Sequence, residues 1–178
     1  MKTNAGSLKI ISFANLNGDF IKFSEIFQKI LDKSGEFDLV ILIGHAFNIH
    51  KDFNQIRELE KFKMKFVILD QSEIGVVCKH KFGFENYEIS DNVTILNRTG
   101  LYVYKDLRIA FINGKESQKF LSEDEKYKYT GFYFSREDVE YLTSGSIDNN
   151  LYDLQGSTKI DILLTNVIPS VILDEMRQ

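Results

Sequence analysis

The sequence predicts an α/β fold in which parallel βαβ units come first and an antiparallel block follows. Short apolar runs alternate with amphipathic helical patterns up to about residue 70, and closely spaced strand-like runs follow between residues 92 and 112. The 178 residues suit one compact domain over residues 1–178, since no linker-like segment divides them.

The first βαβ unit lies near the N-terminus. Residues 9–14 form a short apolar run, and residues 37–44 are almost continuously apolar, which is typical of a parallel strand buried on both faces. Between these runs, apolar residues recur at three- and four-residue spacing, and Gly35 is a helix stop signal. The helical positions are Phe20, Phe23, Phe27, Ile30 and Leu31.

The pattern of an amphipathic helix followed by an apolar strand repeats once, and closely spaced strands follow it. A second amphipathic helix is predicted by Phe53, Ile56, Leu59 and Phe62. Further strands are predicted at residues 65–69, 92–96, 101–104 and 107–112. Lys105-Asp106 suits a tight turn, so we expect the last three of these strands to form an antiparallel meander.

The remaining segments are less regular. Residues 1–7 are polar and lack the apolar core of a signal peptide, so we expect a flexible N-terminus. Residues 114–133 are rich in Lys and Glu and predict a long exposed loop. Ser135 followed by Asp138 predicts a helix start, and residues 159–165 predict another buried strand.

Composition argues against several classes of protein. The net charge of −4 argues against a broad basic face for nucleic acid. One cysteine excludes a disulfide framework or a cysteine-rich zinc module. The chain has three histidines, so a histidine-rich metal site would have to use nearly all of them. No apolar run approaches the length of a membrane span, so we expect no membrane partner.

The loops after the carboxyl ends of the strands are the expected place for function in an open α/β sheet. The first loop has Gly18 but neither a dinucleotide fingerprint nor a P-loop, which favours a turn with an Asn or Asp helix cap. The second holds His45, and His50 follows at a spacing that turns it to another helical face. The third holds Asp70 and Glu73, whose carboxylates suit the start of a helix.

A small basic–aromatic cluster follows the third loop. Lys79, His80 and Lys81 precede Phe82 and Phe84. Such a cluster can stack on single-stranded RNA, although a solvated turn beside core phenylalanines explains the same pattern.

Four segments carry a family resemblance. They are Asn-Leu-Asn-Gly at residues 15–18, Ser-Gly-Glu-Phe-Asp at residues 34–38, Asn-Gly-Lys-Glu-Ser at residues 113–117, and Asp-Ile-Leu-Leu-Thr at residues 161–165, followed by Pro169. Together they resemble the N-terminal domain of the CwfJ family of splicing factors. That resemblance implies a calcineurin-like metallophosphoesterase fold, related to the RNA lariat debranching enzyme.

The resemblance also implies where a two-metal site would stand. Active metallophosphoesterases take an Asp and a His from the first loop, a bridging Asp from the second, an Asn-His pair from the third, and a His after the last strand. Their two metal ions clamp an in-line phosphoryl displacement. In this sequence the corresponding positions hold other residues, which are Asn15, Asn17, His45, Ser72, Glu73 and Asn166.

These replacements imply that catalysis has been lost. Asn is a neutral donor that balances two divalent charges poorly, and His45 cannot replace a bridging carboxylate. We therefore expect no catalytic residue, no metal and no cofactor. The resemblance further implies a nuclear interaction domain that acts in spliceosome disassembly or lariat debranching, with spliceosomal proteins and the debranching enzyme as partners. Since the family's fold continues with another His-containing motif, we expect a C-terminally truncated or abbreviated form of it here.

Two alternative functions stay open on the sequence. One is an active metal-dependent phosphodiesterase with a non-standard site built from His45, Asn15, Asn17, Asp70 and Glu73. The other is a weak RNA-binding module that uses the emptied cleft and nearby lysines. The acidic balance weakens the second, because RNA affinity depends heavily on neutralising phosphates.

Overall fold

The described part of the chain contains two β-sheets, three helices with defined bounds and the helical residues 73–75 after β3. A computed structural model describes residues 7–75, 85–115, 133–134, 136–143 and 160–166. The strands are β1 (Ile10–Ala14), β2 (Leu39–Gly44), β3 (Lys65–Asp70), β4 (Tyr87–Ser90), β5 (Val93–Leu96), β6 (Thr99–Tyr104), β7 (Leu107–Ile112) and β8 (Ile162–Thr165). The helices are α1 (Phe20–Ser34), a 3₁₀ helix (Phe53–Lys61) and α2 (Arg136–Thr143).

The larger sheet has the order β1-β2-β3-β5-β4. Its first four strands in that order are parallel, and β4 pairs antiparallel with β5 at the edge. Ala14 pairs with Ile43, and Gly44 pairs with Asp70, so β1, β2 and β3 all end at the same edge of the sheet. The predicted parallel βαβ architecture is confirmed.

Helix α1 begins and ends at the predicted signals. Asp19 caps its start, since a side-chain oxygen accepts the Lys22 N–H at 3.1 Å. Gly35 ends it with φ of 72°, and its N–H donates to the Leu31 carbonyl at 2.8 Å. The cap shows that the loop after β1 is a tight turn into a helix, as the missing phosphate-binding motifs predicted.

The second predicted helix is present, but it is a 3₁₀ helix. Its apolar residues follow one another at a uniform spacing of three, and residues i and i+3 eclipse in a 3₁₀ helix. Ile56 and Leu59 are buried against the larger sheet. The alternation of three- and four-residue spacing that is seen in α1 is missing here.

The meander prediction is wrong for β5. This strand is buried on both faces and pairs parallel with β3, so it belongs to the larger sheet. Its antiparallel neighbour is β4, a partly exposed strand that the sequence pattern did not reveal. The predicted hairpin is confirmed for β6 and β7, which pair antiparallel around the turn at Lys105.

The core has two parts, one on each face of the larger sheet. Val40 and Leu42 of β2 face a cluster with the phenylalanines of α1, whereas Leu39 and Ile41 face the smaller sheet. All four side chains are buried, which confirms a strand covered on both faces. The described layers are therefore helices, a five-stranded sheet and a three-stranded sheet.

The smaller sheet has the order β6-β7-β8, and β8 runs parallel to β7. The prediction of a buried last strand holds only in part: Leu164 is buried, whereas Leu163 is 45% exposed. Helix α2 is present where the Ser135 and Asp138 signal predicted a helix, although Ser135 itself lies outside the described residues. It contacts β6 and β7. Residues 1–6, 76–84, 116–132 and Pro169 lie outside the described residues, and with them the predicted flexible terminus, most of the long loop and the basic–aromatic cluster.

Candidate functional site

The loop after β1 uses two asparagines in a left-handed backbone conformation. Asn15 has φ of 57° and Asn17 has φ of 55°. Asn is among the few residues other than Gly that adopt this conformation readily, so the sharp turn selects it. The turn brings the Asn17 N–H to the His45 carbonyl at 2.8 Å and the Gly18 N–H to the Ala46 carbonyl at 2.9 Å. The first and second loops are thereby joined through their main chains.

The side chains of both asparagines are engaged within the protein. Asn15 Oδ1 accepts the main-chain N–H of His45 at 3.1 Å. Asn17 Oδ1 accepts from the side-chain amide of Asn48 at 3.0 Å. Both side-chain oxygens are therefore hydrogen-bond acceptors within the protein.

Asp70, at the end of β3, is the buried charge-bearing group of this edge. It is fully buried, and its Oδ1 accepts the main-chain N–H groups of Ala46 at 2.8 Å and Phe47 at 3.2 Å. Its Oδ2 accepts the Ser72 hydroxyl at 2.5 Å. Asp70 therefore fixes the loop after β2 onto the end of β3.

Burial raises the pKa of Asp70 above its ordinary value of 3.8, and this effect outweighs the hydrogen bonds from Ser72, Phe47 and Ala46, which lower it. Desolvation disfavours the ionised carboxylate, while the hydrogen bonds favour it. A carboxylate that accepts the Ser72 hydroxyl and main-chain N–H groups has little capacity left for a metal ion.

A chain of asparagine amides links the two sheets at the same edge. Asn166 follows β8, and its Oδ1 accepts the Gly44 N–H at 3.0 Å. Its Nδ2 donates to Asn113 Oδ1 at 2.7 Å. Asn113, which follows β7, donates in turn to the carbonyls of Asp70 and Asn97, both at 2.9 Å. This asparagine network connects the ends of β2, β3, β7 and β8.

The structure brings the six sequence-predicted positions to one edge, but in unequal roles. Asn15, Asn17 and Asn166 are joined to main chain or side chains of that edge. His45 is exposed, Ser72 is buried against Asp70, and Glu73 is exposed. Asn17, His45, Ser72 and Glu73 line a cleft of about 280 Å³ that also includes His50.

The side chains at this edge do not fit a two-metal centre. Among the residues that the structure describes, no group of three His, Cys, Asp or Glu side chains is placed to hold a metal ion. The oxygen atoms available as metal ligands belong largely to neutral amides. The buried carboxylate of Asp70 already accepts hydrogen bonds from N–H and O–H groups of the protein.

Two residues have a larger part in the site than the sequence predicts. Asn113, at a strand-end position and in the segment 113–117 that carries the resemblance, links the two sheets in the structure. Asp70 is predicted to suit a helix start or an alternative metal site. Residues 73–75 after it are helical, and its carboxylate also holds the loop after β2. The pairing of Asp70 with the second loop depends on the register between β2 and β3 and has no local signal.

Similarity to known proteins extends over nearly the whole chain. The chain is 28% identical over 173 residues to CWF19-like protein 1 of Homo sapiens, which is 93% of this chain and 29% of that protein. It is 29% identical over 168 residues to the CWF19-like protein 1 homolog of Caenorhabditis elegans, with 92% of this chain and 28% of that protein covered. The chain is similar to CWF19-like proteins.

These relatives support a CwfJ/CWF19-like family, in agreement with the four sequence segments. The chain spans less than a third of the length of the relatives it matches. No family model matches it. Within the described ranges, every helix is too short or too polar to cross a membrane.

Proposed function

We propose that this chain is a non-catalytic, metallophosphoesterase-like interaction domain of a splicing-associated nuclear protein. Its role would be that of a scaffold or modulator in spliceosome disassembly or intron-lariat debranching, with spliceosomal proteins and the debranching enzyme as partners. Similarity to CWF19-like proteins supports the splicing theme. The α/β architecture with both parallel and antiparallel pairing agrees with the fold class that the resemblance implies.

One observation carries the non-catalytic part of this proposal. The polar groups at the strand ends form the asparagine network and the Asp70 cluster, in which amide and carboxylate oxygens accept N–H and O–H groups of the protein. A di-metal phosphoesterase needs those oxygens free and needs anionic ligands to balance the metals. The same edge is therefore stabilised by hydrogen bonds in place of metal–ligand bonds.

The alternative of an active phosphodiesterase would use His45, Asn15, Asn17, Asp70 and Glu73. The structure brings all five to one edge, but Asp70 is fully buried beneath the loop that contains His45. An exposed imidazole and an exposed Glu73 carboxylate would remain as ionisable groups facing solvent. This set offers one anionic ligand, which favours the non-catalytic function.

Metal binding and hydrolysis test the non-catalytic part directly. Purified protein dialysed against Mn²⁺ or Zn²⁺ should retain less than one equivalent by elemental analysis, and bis-aryl phosphate and branched RNA should remain intact. Metal-dependent turnover that is lost in His45→Ala but kept in His50→Ala would instead establish the phosphodiesterase.

Association with the splicing machinery tests the pathway. Affinity purification of the chain from nuclear extract, followed by mass spectrometry, should recover spliceosomal or debranching components. Recovery of none of these would overturn the pathway assignment and leave the non-catalytic site intact. Recovery that depends on RNase-sensitive RNA would favour the RNA-binding alternative.

A further inference from the structure

The cleft beside the asparagine network has the properties of a binding site. It lies between the loops after β1, β2 and β3 and has a volume of about 280 Å³. The loop that forms one wall is held in place by Asp70 through Ala46 and Phe47, so the cleft is formed before any ligand binds. A preformed site loses less conformational entropy on binding than one that must be ordered.

Gln71, a residue that lines the cleft, has a side-chain hydrogen-bond donor that is buried and has no acceptor among the described residues. This donor is Nε2, and the residue is only 8% exposed. Its main-chain N–H, in contrast, donates to the Gly44 carbonyl at 2.8 Å. A buried amide without a partner costs free energy, which a carbonyl oxygen of a ligand would recover. The terminal torsion of a Gln side chain is soft enough to turn the amide toward such an oxygen.

An apolar wall lies beside this donor. Phe47 is buried and packs against Phe53 with ring centroids 5.1 Å apart, whereas Ile49 is 55% exposed at the cleft. One exposed Ile is common on protein surfaces and by itself indicates nothing. Next to an unpartnered amide in the same cleft, it supplies apolar contact for the ligand that satisfies the amide.

The charge at the cleft selects between classes of ligand. Apart from two histidines, Glu73 is the ionisable side chain among the described residues that line it, and the chain as a whole carries −4. A phosphate or an RNA backbone needs Lys or Arg contacts, and no such side chain lines the described cleft. A basic side chain is complementary to both the local and the overall charge.

We propose that the cleft binds a short segment of a partner protein that presents three groups. A main-chain carbonyl accepts from Gln71, an apolar side chain packs on Ile49, and a Lys or Arg side chain pairs with Glu73. This inference rests on the proposed interaction role and specifies the surface and the chemistry of the partner.

Selection from a random peptide library displayed on phage tests this proposal. Peptides retained by the unchanged chain should be enriched in Lys or Arg next to an apolar residue. They should be lost on Ile49→Asp but retained on Ile26→Asp, a matched change at an exposed Ile of α1 outside the cleft. The proposal would be overturned if the Ile49→Asp variant still retained the selected peptides, or if the selected peptides were acidic.

Synthetic versions of the selected peptides then test each contact by fluorescence polarisation. Glu73→Gln should weaken binding about threefold, as expected for an exposed ion pair. Gln71→Leu should weaken it about tenfold through the lost hydrogen bond while leaving the melting temperature unchanged or higher, because the unpartnered buried amide is removed. Tighter binding of a uridine decamer than of the peptides would assign the cleft to RNA instead.

Two combinations of results distinguish failure of the cleft proposal from failure of the proposed function. If no peptide is selected while the chain still recovers splicing components from nuclear extract, the cleft proposal fails and the interaction domain stands. If peptides bind at the cleft but no splicing component is recovered, the cleft proposal stands and the pathway assignment fails.

Discussion

Asparagine at the strand ends meets two physical demands at once. Asn15 and Asn17 adopt the left-handed backbone that the turn after β1 requires. Asn113 and Asn166 each use a carbonyl oxygen as acceptor and an NH₂ group as donor within one network. Asp has no donor when ionised, so it could not replace Asn113 between two carbonyl oxygens. The folding of these strand ends thus explains why asparagine occupies the four positions.

Asp70 gives a residue-scale prediction about stability. Asp70→Ala leaves two buried main-chain N–H groups without an acceptor, which should lower the free energy of unfolding by about 2–5 kcal/mol. Asp70→Asn keeps an oxygen toward both N–H groups and should cost far less. Urea denaturation of the two variants at pH 7 measures the difference. Equal losses in both would mean that the carboxylate's charge matters and the hydrogen bonds do not.

The pH dependence of stability follows from the same carboxyl. Because burial raises the folded-state pKa of Asp70, the folded protein binds more protons than the unfolded chain, and stability falls as pH rises through the two pKa values. Asp70→Asn has no such group. The stability of Asp70→Asn, measured relative to that of the unchanged protein, should therefore improve as the pH rises from below 3.8, the ordinary pKa of the carboxyl, to neutral. Thermal unfolding of both proteins from pH 3 to 7, scored as the difference between them, checks the sign.

At the scale of elements, the ends of strands and helices were set by local chemistry. Asp19 caps the start of α1 and Gly35 ends it, as their residue types predicted. In the 3₁₀ helix the apolar residues recur at a uniform spacing of three. Gly44 ends β2 with φ of 84°, and a Cβ at this position would collide with the Asn15 side-chain oxygen. The end of β2 is therefore compatible with the Asn15 side chain only when residue 44 is glycine.

Gly44→Ala tests this contact between two elements. The variant should destabilise the protein through both a strained φ and the collision with Asn15. In an Asn15→Ala background the collision is absent, so Gly44→Ala should cost less there, by about 1 kcal/mol or more. A double-mutant cycle by urea denaturation gives the coupling. Additive effects would show that backbone strain alone accounts for the loss.

At the scale of the whole molecule, the larger sheet is the shared layer of both core clusters. Leu69 of β3 is fully buried between the two sheets, together with Phe111 and Leu164 of the smaller one. The asparagine network joins the same sheets at one edge. Because the two sheets share a core and are joined by the asparagine network, we expect them to unfold together, as the single-domain interpretation of residues 1–178 requires.

Leu69→Ala measures this coupling between the sheets. It should lower the free energy of unfolding by about 2–5 kcal/mol as a buried cavity forms, whereas Leu163→Ala, at a half-exposed site in β8, should change it by less than about 0.5 kcal/mol. Far-UV circular dichroism, which reports the secondary structure of the whole chain, and near-UV signals from tyrosines such as Tyr102 and Tyr104 of the smaller sheet should shift to the same new midpoint. Separate midpoints would divide the chain into two domains.

The sequence by itself determined most of the helices and strands, though not β4, and the strand-end positions of the candidate site. Apolar periodicity, Asp19 and Gly35 are local signals, and the carboxyl ends of parallel strands must meet at one edge, so Asn15, His45 and the residues after Asp70 could be placed together. Tertiary structure alone decided the partners. Whether β5 joins the larger sheet, and which donor reaches Asp70 or Asn113, depends on register and sheet packing between residues far apart in the chain. Long-range pairing leaves no periodic trace in one sequence here, because strands buried on both faces, such as β2, β3 and β5, stay buried in more than one order of pairing.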